Sequence, residues 1–206
     1  YNKKNNIKMK IVVCIKQVPD TTEVKLDPKT GTLIRDGIPS IINPDDKGGL
    51  EYALQLKEQY GAEVTVITMG PPQAEAVLRE AFAMGADRAI LLTSRKFAGA
   101  DTLATSNALA GALRVLDYVL ILAGRQAIDG DTAQVGPQIA EHLGIAQVSY
   151  LEDLEFDGKK TFRIKKQLED GYQIVEVESP CLLTCLASAV KPRYMSVKGI
   201  VEAWDK

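Results

Sequence analysis

Four short runs rich in aliphatic and β-branched residues punctuate the first 150 positions: Ile11 to Ile15, Glu63 to Met69, Ala89 to Thr93 and Tyr118 to Ala123. They lack the polar alternation of half-solvated strands, so they predict strands covered on both faces. Between them, apolar positions recur at three- and four-residue spacing. Leu50, Ala53 and Leu54 form one such set, Ala74, Val77, Leu78 and Ala81 a second, Leu103, Ala110 and Leu113 a third, and Val135, Ile139 and Leu143 a fourth. Each marks the buried face of a helix. Strands separated by helices pair in parallel through right-handed crossovers. The predicted fold class is therefore α/β, with a doubly wound, mostly parallel sheet in a Rossmann-like three-layer arrangement. In such sheets ligands sit at the carboxyl ends of the strands, so function is sought in the loops that follow them.

The pattern changes beyond Tyr150. Leu154 to Phe156, Phe162 to Leu168 and Tyr172 to Val177 are separated by Asp157-Gly158 and Asp170-Gly171, two strong turn signals that predict an antiparallel hairpin or meander over about 150–178. Pro180 then precedes Cys181 to Ala187, an apolar run able to rejoin the main sheet, and Lys191 to Ser196 reads as a loop. The expected organisation is one α/β domain over 9–188 and a separate segment over 189–206. Residues 1–8, rich in Asn and Lys, read as a disordered extension or a tag.

Composition narrows the function. Lys and Arg number 25 against 27 Asp and Glu, with no long run of one sign, so nothing marks a nucleic-acid or anionic-membrane surface. The longest apolar runs are too short to span a bilayer and the start has no signal-peptide core, which reads as a cytoplasmic chain without membrane insertion. Cys14, Cys181 and Cys185 lie in apolar β-like runs without a Cys-x-x-Cys, as buried thiols do. The single histidine, His142, cannot build a His-based metal site and falls at the end of a predicted helix. No metal is expected.

The densest group of small and polar residues is Ala123-Gly-Arg-Gln-Ala-Ile-Asp-Gly-Asp-Thr-Ala-Gln-Val-Gly-Pro, between a buried strand and an amphipathic helix. Asp131 or Thr132 is expected to cap that helix, and Gly130 to let the backbone approach a ligand. The N–H groups of Thr132 to Val135 then face a phosphate or pyrophosphate at the positive end of the helix dipole. A second loop, Gly99-Ala-Asp-Thr-Leu-Ala-Thr-Ser, opens the next helix with Asp101 or Thr102 at its cap. It shares the strand-end edge with Met69-Gly-Pro-Pro and Cys14-Ile-Lys-Gln-Val-Pro-Asp. Neither the Gly-x-Gly-x-x-Gly fingerprint nor a P-loop is present. Asp129 and Asp131 flank a glycine without a nucleophile or histidine nearby, which argues against hydrolysis and leaves no catalytic residue. Asn43-Pro-Asp-Asp reads on its own as a turn and helix cap.

Together, Val12-Val-Cys-Ile-Lys-Gln-Val-Pro-Asp, Ile42-Asn-Pro-Asp-Asp, the Met69-Gly-Pro loop, Met84-Gly-Ala-Asp-Arg and the long loop from Ala123 resemble the beta subunit of electron transfer flavoproteins, over residues 9 to about 202. The resemblance implies an adenine-nucleotide-binding α/β domain in a heterodimer with an alpha subunit, whose own FAD shuttles electrons. The beta subunit's nucleotide is AMP, a structural element, in respiratory-type members. In electron-bifurcating members it is a second FAD that accepts a hydride from NADH. Asp129-Gly-Asp-Thr-Ala-Gln-Val-Gly-Pro resembles the bifurcating group, and its small residues leave room for a diphosphate, which favours FAD, with AMP as the alternative. The match puts around the nucleotide the backbone at Cys14, Lys16, Asn43, Met69, Gly70, Asp101, Thr102 and Leu103. It adds the long-loop residues Gly124, Arg125, Gln126, Asp129, Gly130, Asp131, Thr132, Ala133, Gln134 and Val135. Arg125 is the candidate electrostatic tuner, against a surface salt bridge or a diphosphate contact.

The segment from Ala189 to Ile200 resembles the family's recognition loop, with Arg193, Tyr194 and Met195 beside Val197 at the anchor position. That loop implies docking to a flavin-dependent dehydrogenase such as an acyl-CoA dehydrogenase. Ferredoxin or flavodoxin is the implied low-potential acceptor. Family members continue into an arm that embraces the alpha subunit, so residues 189–206 are expected to open a C-terminal arm that is either truncated here or a mobile tail. NADH oxidation is implied only within the whole bifurcating complex. A scaffold that binds AMP without redox steps and a stand-alone nucleotide sensor are the competing readings.

Overall fold

A computed structural model describes residues 9–20 and 39–205; the predicted extension over 1–8 lies outside the described residues. The elements run β1 (Lys10–Cys14), β2 (Gln17–Pro19), β3 (Ser40–Ile42), α1 (Pro44–Tyr60), β4 (Glu63–Met69), α2 (Glu75–Met84), β5 (Arg88–Leu92), α3 (Thr102–Leu113) and β6 (Leu120–Gly124). They continue with α4 (Val135–Leu143), β7 (Ala146–Phe156), β8 (Thr161–Leu168), β9 (Gly171–Glu178), β10 (Cys181–Cys185) and α5 (Val197–Glu202).

The strand order is β5-β4-β1-β6-β10-β7-β8-β9, parallel from β5 through β7 and antiparallel from β7 through β9. Alternate residues of each central strand serve opposite layers. Ile11 and Val13 of β1 pack with Leu50 and Leu54 of α1 and Val77 and Ala81 of α2. Val12 and Cys14 pack with Leu109 and Leu113 of α3 and Ile139 and Ala140 of α4. The sheet is thus covered by α1 and α2 on one side and α3 and α4 on the other, the doubly wound arrangement that the periodicities predict. Because the chain runs from β1 to β4 on one flank and returns as β6 on the other, the order reverses at β1. In doubly wound sheets such a reversal is where ligands bind, in the crevice outside the carboxyl ends of the strands, here those of β1 and β6.

Several elements differ from the sequence expectation. The run at Ala89 to Thr93 forms β5, but as the edge strand it pairs with β4 alone and stays only partly buried. β7 begins at Ala146, well before the predicted Leu154, because its first half, Ala-Gln-Val-Ser, carries no β pattern yet pairs with β10. Leu103 is 57% exposed. The buried stripe of α3 is instead Ser106, Leu109, Ala110 and Leu113, and Leu103 lies in the first turn, where no layer covers it. A short helix, α5, forms where no pattern was visible. Ser196 caps it by accepting from Gly199 N–H at 2.9 Å, and Gly199 sits so close to Ala83 of α2 that a Cβ would strike the Ala83 carbonyl. The run from Cys181 rejoins the sheet as predicted, and His142 lies in the last turn of α4, 3.3 Å from Ser106 Oγ.

α4 presses its first turn against β10: a Cβ on Gly136 would sit 2.7 Å from Thr184 Cγ2. Alanine is favoured over glycine inside a helix by about 1 kcal/mol, whereas overpacking a filled core costs roughly 1–3 kcal/mol. Gly136→Ala is therefore expected to lower the urea midpoint of unfolding; a raised midpoint would show that α4 can move off the sheet.

Candidate functional site

The site is assembled from the first turn of α1. Pro44 at the helix start has no N–H to lose and a φ suited to the first turn, and Asn43 precedes it at the N-cap. Asn43 does not cap with its side chain. Its Nδ2 instead donates to Gln126 O at 2.8 Å, and its Oδ1 accepts from Ile128 N–H at 3.1 Å. Asp46 Oδ2 accepts from Lys16 N–H at 2.7 Å and Asp46 Oδ1 from Gly124 N–H at 2.8 Å. Asp45 Oδ1 accepts from Ala187 N–H at 2.8 Å and its Oδ2 from Gln126 N–H at 3.3 Å. Three polar residues on one helix start, Asn43, Asp45 and Asp46, thus hold the loops after β1, β6 and β10. In the β6 loop they engage the backbone of Gly124, Gln126 and Ile128, every second residue.

Gly124 is what this arrangement requires, since a Cβ there would run into the Asp46 carboxylate and Asp45 Cβ. Beyond it, Lys16 Nζ pairs with Asp129 Oδ1 at 2.6 Å and Gln126 Nε2 donates to Asp131 Oδ1 at 2.7 Å. Thr102 Oγ1 donates to Gln134 Oε1 at 2.9 Å, joining the α3 start to the same loop. Asp101 caps α3 by accepting from Ala104 N–H at 2.8 Å, as predicted. Gly70 N–H donates to Leu92 O at the neighbouring strand end. The predicted residues at Lys16, Asn43, Thr102 and Gly124 to Gln134 are therefore brought together at one edge, with Cys14, Met69 and Gly70 at the adjoining strand ends.

One expectation fails. Neither Asp131 nor Thr132 caps α4, because the helix starts later, at Val135, with Gln134 at the N-cap and no side-chain cap bond. Asp131 and Ala133 instead take φ values of 48° and 53°. Two non-glycine residues in the left-handed region, each disfavoured by about 1–2 kcal/mol, cluster where a site shapes its backbone. Nothing stands within 4 Å of where a Gly130 Cβ would be. Arg125 Nε lies 3.4 Å from Asp45 Oδ2, close enough for attraction but poorly directed, so this buried N–H lacks a hydrogen-bond acceptor.

The electrostatics follow from burial. Desolvation, opposed by the bonds from Asn43, Lys16 and Gly124 and reinforced by the charge of Asp45, raises Asp46 from 3.8 to about 7. Burial, with the charge of Asp46 added, pushes the Cys14 thiol up to about 12, and Cys185 is raised for the same reasons. These thiols are inert structural groups. Sequence reasoning missed Asp45 and Asp46. The signal was an Asp-Asp pair directly after Asn-Pro, too polar for the buried helix start it forms.

The segment after Ala189 is a separate surface. Arg193 is not free: its Nε and NH2 reach Glu51 at 2.9 and 3.0 Å, its N–H donates to Glu51 at 3.0 Å, and NH1 pairs with Glu58. Burial would raise Glu51, but its bonds and charge pairing with Arg193 together hold it below the usual range. Tyr194 and Val197 are 88% and 81% exposed, with Met195, Ile200, Val201 and Trp204 also uncovered. Arg79 holds the end of α5 through Ala203 O at 2.5 Å and lies 5.1 Å over the Trp204 ring.

The model of the electron transfer flavoprotein domain matches residues 30–206. The electron transfer flavoprotein subunit beta of Clostridium acetobutylicum is 64% identical over 96% of this chain and 76% of its own length. The chain belongs to the electron transfer flavoprotein beta-subunit family. The caffeyl-CoA reductase-Etf complex subunit CarD of Acetobacterium woodii is 58% identical, covering 96% of this chain and 76% of its own. The acryloyl-CoA reductase electron transfer subunit gamma of Anaerotignum propionicum is 52% identical, with coverage of 96% and 75%. The family is one of flavoproteins, and electron transfer is its function. Among the described residues, no helix of this member is long and apolar enough to cross a membrane.

Asp46 gives the fold a pH signature. The folded chain retains a proton between the unfolded value of 3.8 and about 7, so the stabilisation is full below about 4 and is lost as pH rises to about 7. Measured against Asp46→Asn by urea unfolding, the native chain is expected to lose roughly 2–4 kcal/mol of relative stability from pH 4 to 7. A difference that stays flat or grows would contradict the burial of this carboxyl.

Proposed function

We propose that this chain binds FAD at the crevice between the carboxyl ends of β1 and β6 and works as the beta subunit of an electron-bifurcating flavoprotein. The observation that carries the reading is the backbone of the loop before α4. Left-handed Asp131 and Ala133 lead into right-handed Gln134, and a left-handed residue next to a right-handed one is the geometry that gathers successive N–H groups into an anion-binding concavity. The same loop has open space at Gly130, and at its start Arg125 Nε, in ion-pair range of Asp45, has no hydrogen-bond acceptor. The site offers no nucleophile, so its service is binding and orientation. Lys16 and Asp129 neutralise each other and brace the loop, Thr102 and Gln134 close its far side, and Arg125 holds positive charge at the strand end. Bound FAD would supply hydride acceptance from NADH and one-electron release.

In this reading the chain pairs with an alpha subunit, whose FAD passes one electron to a flavin-dependent dehydrogenase, the other going to a low-potential acceptor such as ferredoxin or flavodoxin. Support comes from the relatives named as subunits of caffeyl-CoA and acryloyl-CoA reductase systems. Release of nucleotide from the complex with its alpha subunit, followed by chromatography, is expected to yield two FAD and no AMP per heterodimer. One FAD with one AMP would leave a structural nucleotide in this subunit and remove bifurcation.

The exposed Val197, between Met195 and Ile200, is the apolar anchor for the dehydrogenase. Val197→Asp is expected to slow electron delivery to that partner at least tenfold, since losing a hot-spot contact costs about 2 kcal/mol or more, while NADH oxidation with an artificial acceptor persists. Equal loss of both rates would place Val197 in the fold.

A further inference from the structure

We propose that Asp46 is a positioning residue for the bound nucleotide: by holding Lys16 N–H and Gly124 N–H with one carboxylate, it fixes the width of the crevice between β1 and β6. This rests on the reading that an adenine nucleotide occupies that crevice. β1 and β6 already pair at Ile11, Val12 and Val13 with Leu120, Ile121 and Leu122. Beyond that ladder the Lys16–Asp129 ion pair and Asn43, bonded to Lys16 O, Gln126 O and Ile128 N–H, link the loops farther out, while Asp46 joins the strand ends themselves. The carboxylate supplies the tie at 2.7 and 2.8 Å. It also fits without slack, because Gly124 has no room for even a methyl group beside it.

The groups facing Asp46 come from every element around it. Asn43 and Asp45 lie on its own helix start, with Arg125 paired to Asp45; Cys14 and Lys16 follow from β1, Gly124 from β6, and Cys185 from β10. Cys14 and Cys185 stay neutral through the physiological range because burial raises both thiols. Asp46 itself is raised to about 7 by burial, so its two acceptor oxygens are fully available only above neutrality. A protonated carboxyl turns one oxygen into a hydroxyl and weakens one of the two bonds to charged oxygen, each of which is stronger than a neutral bond. Folding and binding therefore respond to this group in opposite directions: the empty fold is favoured by the proton, and the framed crevice by its loss.

The test uses the complex with the alpha subunit, stripped of nucleotide at the beta subunit and titrated with FAD and, separately, with AMP at pH 6 and pH 8. The wild-type complex is expected to bind its nucleotide roughly tenfold more weakly at pH 6, the loss of about one charged hydrogen bond. Asp46→Asn is expected to bind weakly at both, without the pH dependence, because its NH2 group would face one of the two N–H donors. Wild-type-like affinity and pH profile in Asp46→Asn would overturn the proposal. Should that variant not fold, the wild-type profile decides: affinity that is flat from pH 6 to 8, or stronger at pH 6, also overturns it. A wild-type complex that takes up neither FAD nor AMP at either pH refutes the binding reading itself, and the positioning role with it.

Discussion

Two adjacent carboxylates, buried at the first turn of α1, have to be satisfied by something, and nearly everything at the strand-end edge is arranged to do it. A buried charge without partners is far costlier than one hydrogen-bonded by backbone N–H groups. Here the helix start contributes a favourable dipole. The donors come from three other segments: Lys16 after β1, Gly124 and Gln126 after β6, and Ala187 after β10. Gly124 is glycine because the carboxylate occupies the space of a Cβ. Cys14 and Cys185 are held neutral partly by the same negative charge. The acidic pair therefore acts less as surface chemistry than as the pin on which four segments turn.

That pin is assembled from residues far apart in the chain. β10, which carries one of its donors at its exit, is inserted between β6 and β7 only after the excursion through β7, β8 and β9. Phe162 at the start of β8 is fully buried and stacks with Phe156 at 4.6 Å, tying the excursion to the core before the chain returns. The edge is thus complete only when residues near 16, 46, 124 and 187 have met. Such closure costs chain entropy that local helix formation does not offset. A ligand loop built on it inherits a frame that is rigid at its base, at Gly124 to Ile128, and open at Gly130.

The layers and strand order class were legible because they depend on hydrophobic period, which is a local property. The runs at Ile11, Glu63 and Tyr118 and the stripes on α1, α2 and α4 each declare their buried face. The antiparallel excursion was equally legible from Asp157-Gly158 and Asp170-Gly171. What escaped was set by tertiary contact. The first half of β7 is a strand because β10 offers it a ladder, and α5 exists because Ser196 caps it and Gly199 can lie against Ala83. The same holds at the site. The long loop from Ala123 announced itself by composition, and Asp101 by its cap position. The expected caps at Asp131 and Thr132 did not form, since the loop's backbone turns left-handed at Asp131 and Ala133 and delays the helix to Val135. Asn43, Asp45 and Asp46 looked like punctuation because their partners lie some thirty, eighty and one hundred and forty positions away.

The same helix that carries the pin also carries the anchor of the exposed C-terminal segment. Asp46 lies in the first turn of α1, Glu51 in its middle and Glu58 near its end, and Arg193 grips the latter two. The two attachments differ in strength for a physical reason. Glu51 is buried and receives Arg193 bidentately, a geometry that makes an ion pair count, whereas Glu58 is exposed and contributes as surface pairs do, weakly. Removing Arg193 would therefore cost more through the stranded Glu51 carboxylate than through the lost contact at Glu58. A helix rises about 1.5 Å per residue and does not bend readily over so few turns. α1 accordingly holds the segment bearing Tyr194, Met195 and Val197 at a set distance from the crevice. What the helix transmits between the two surfaces is position.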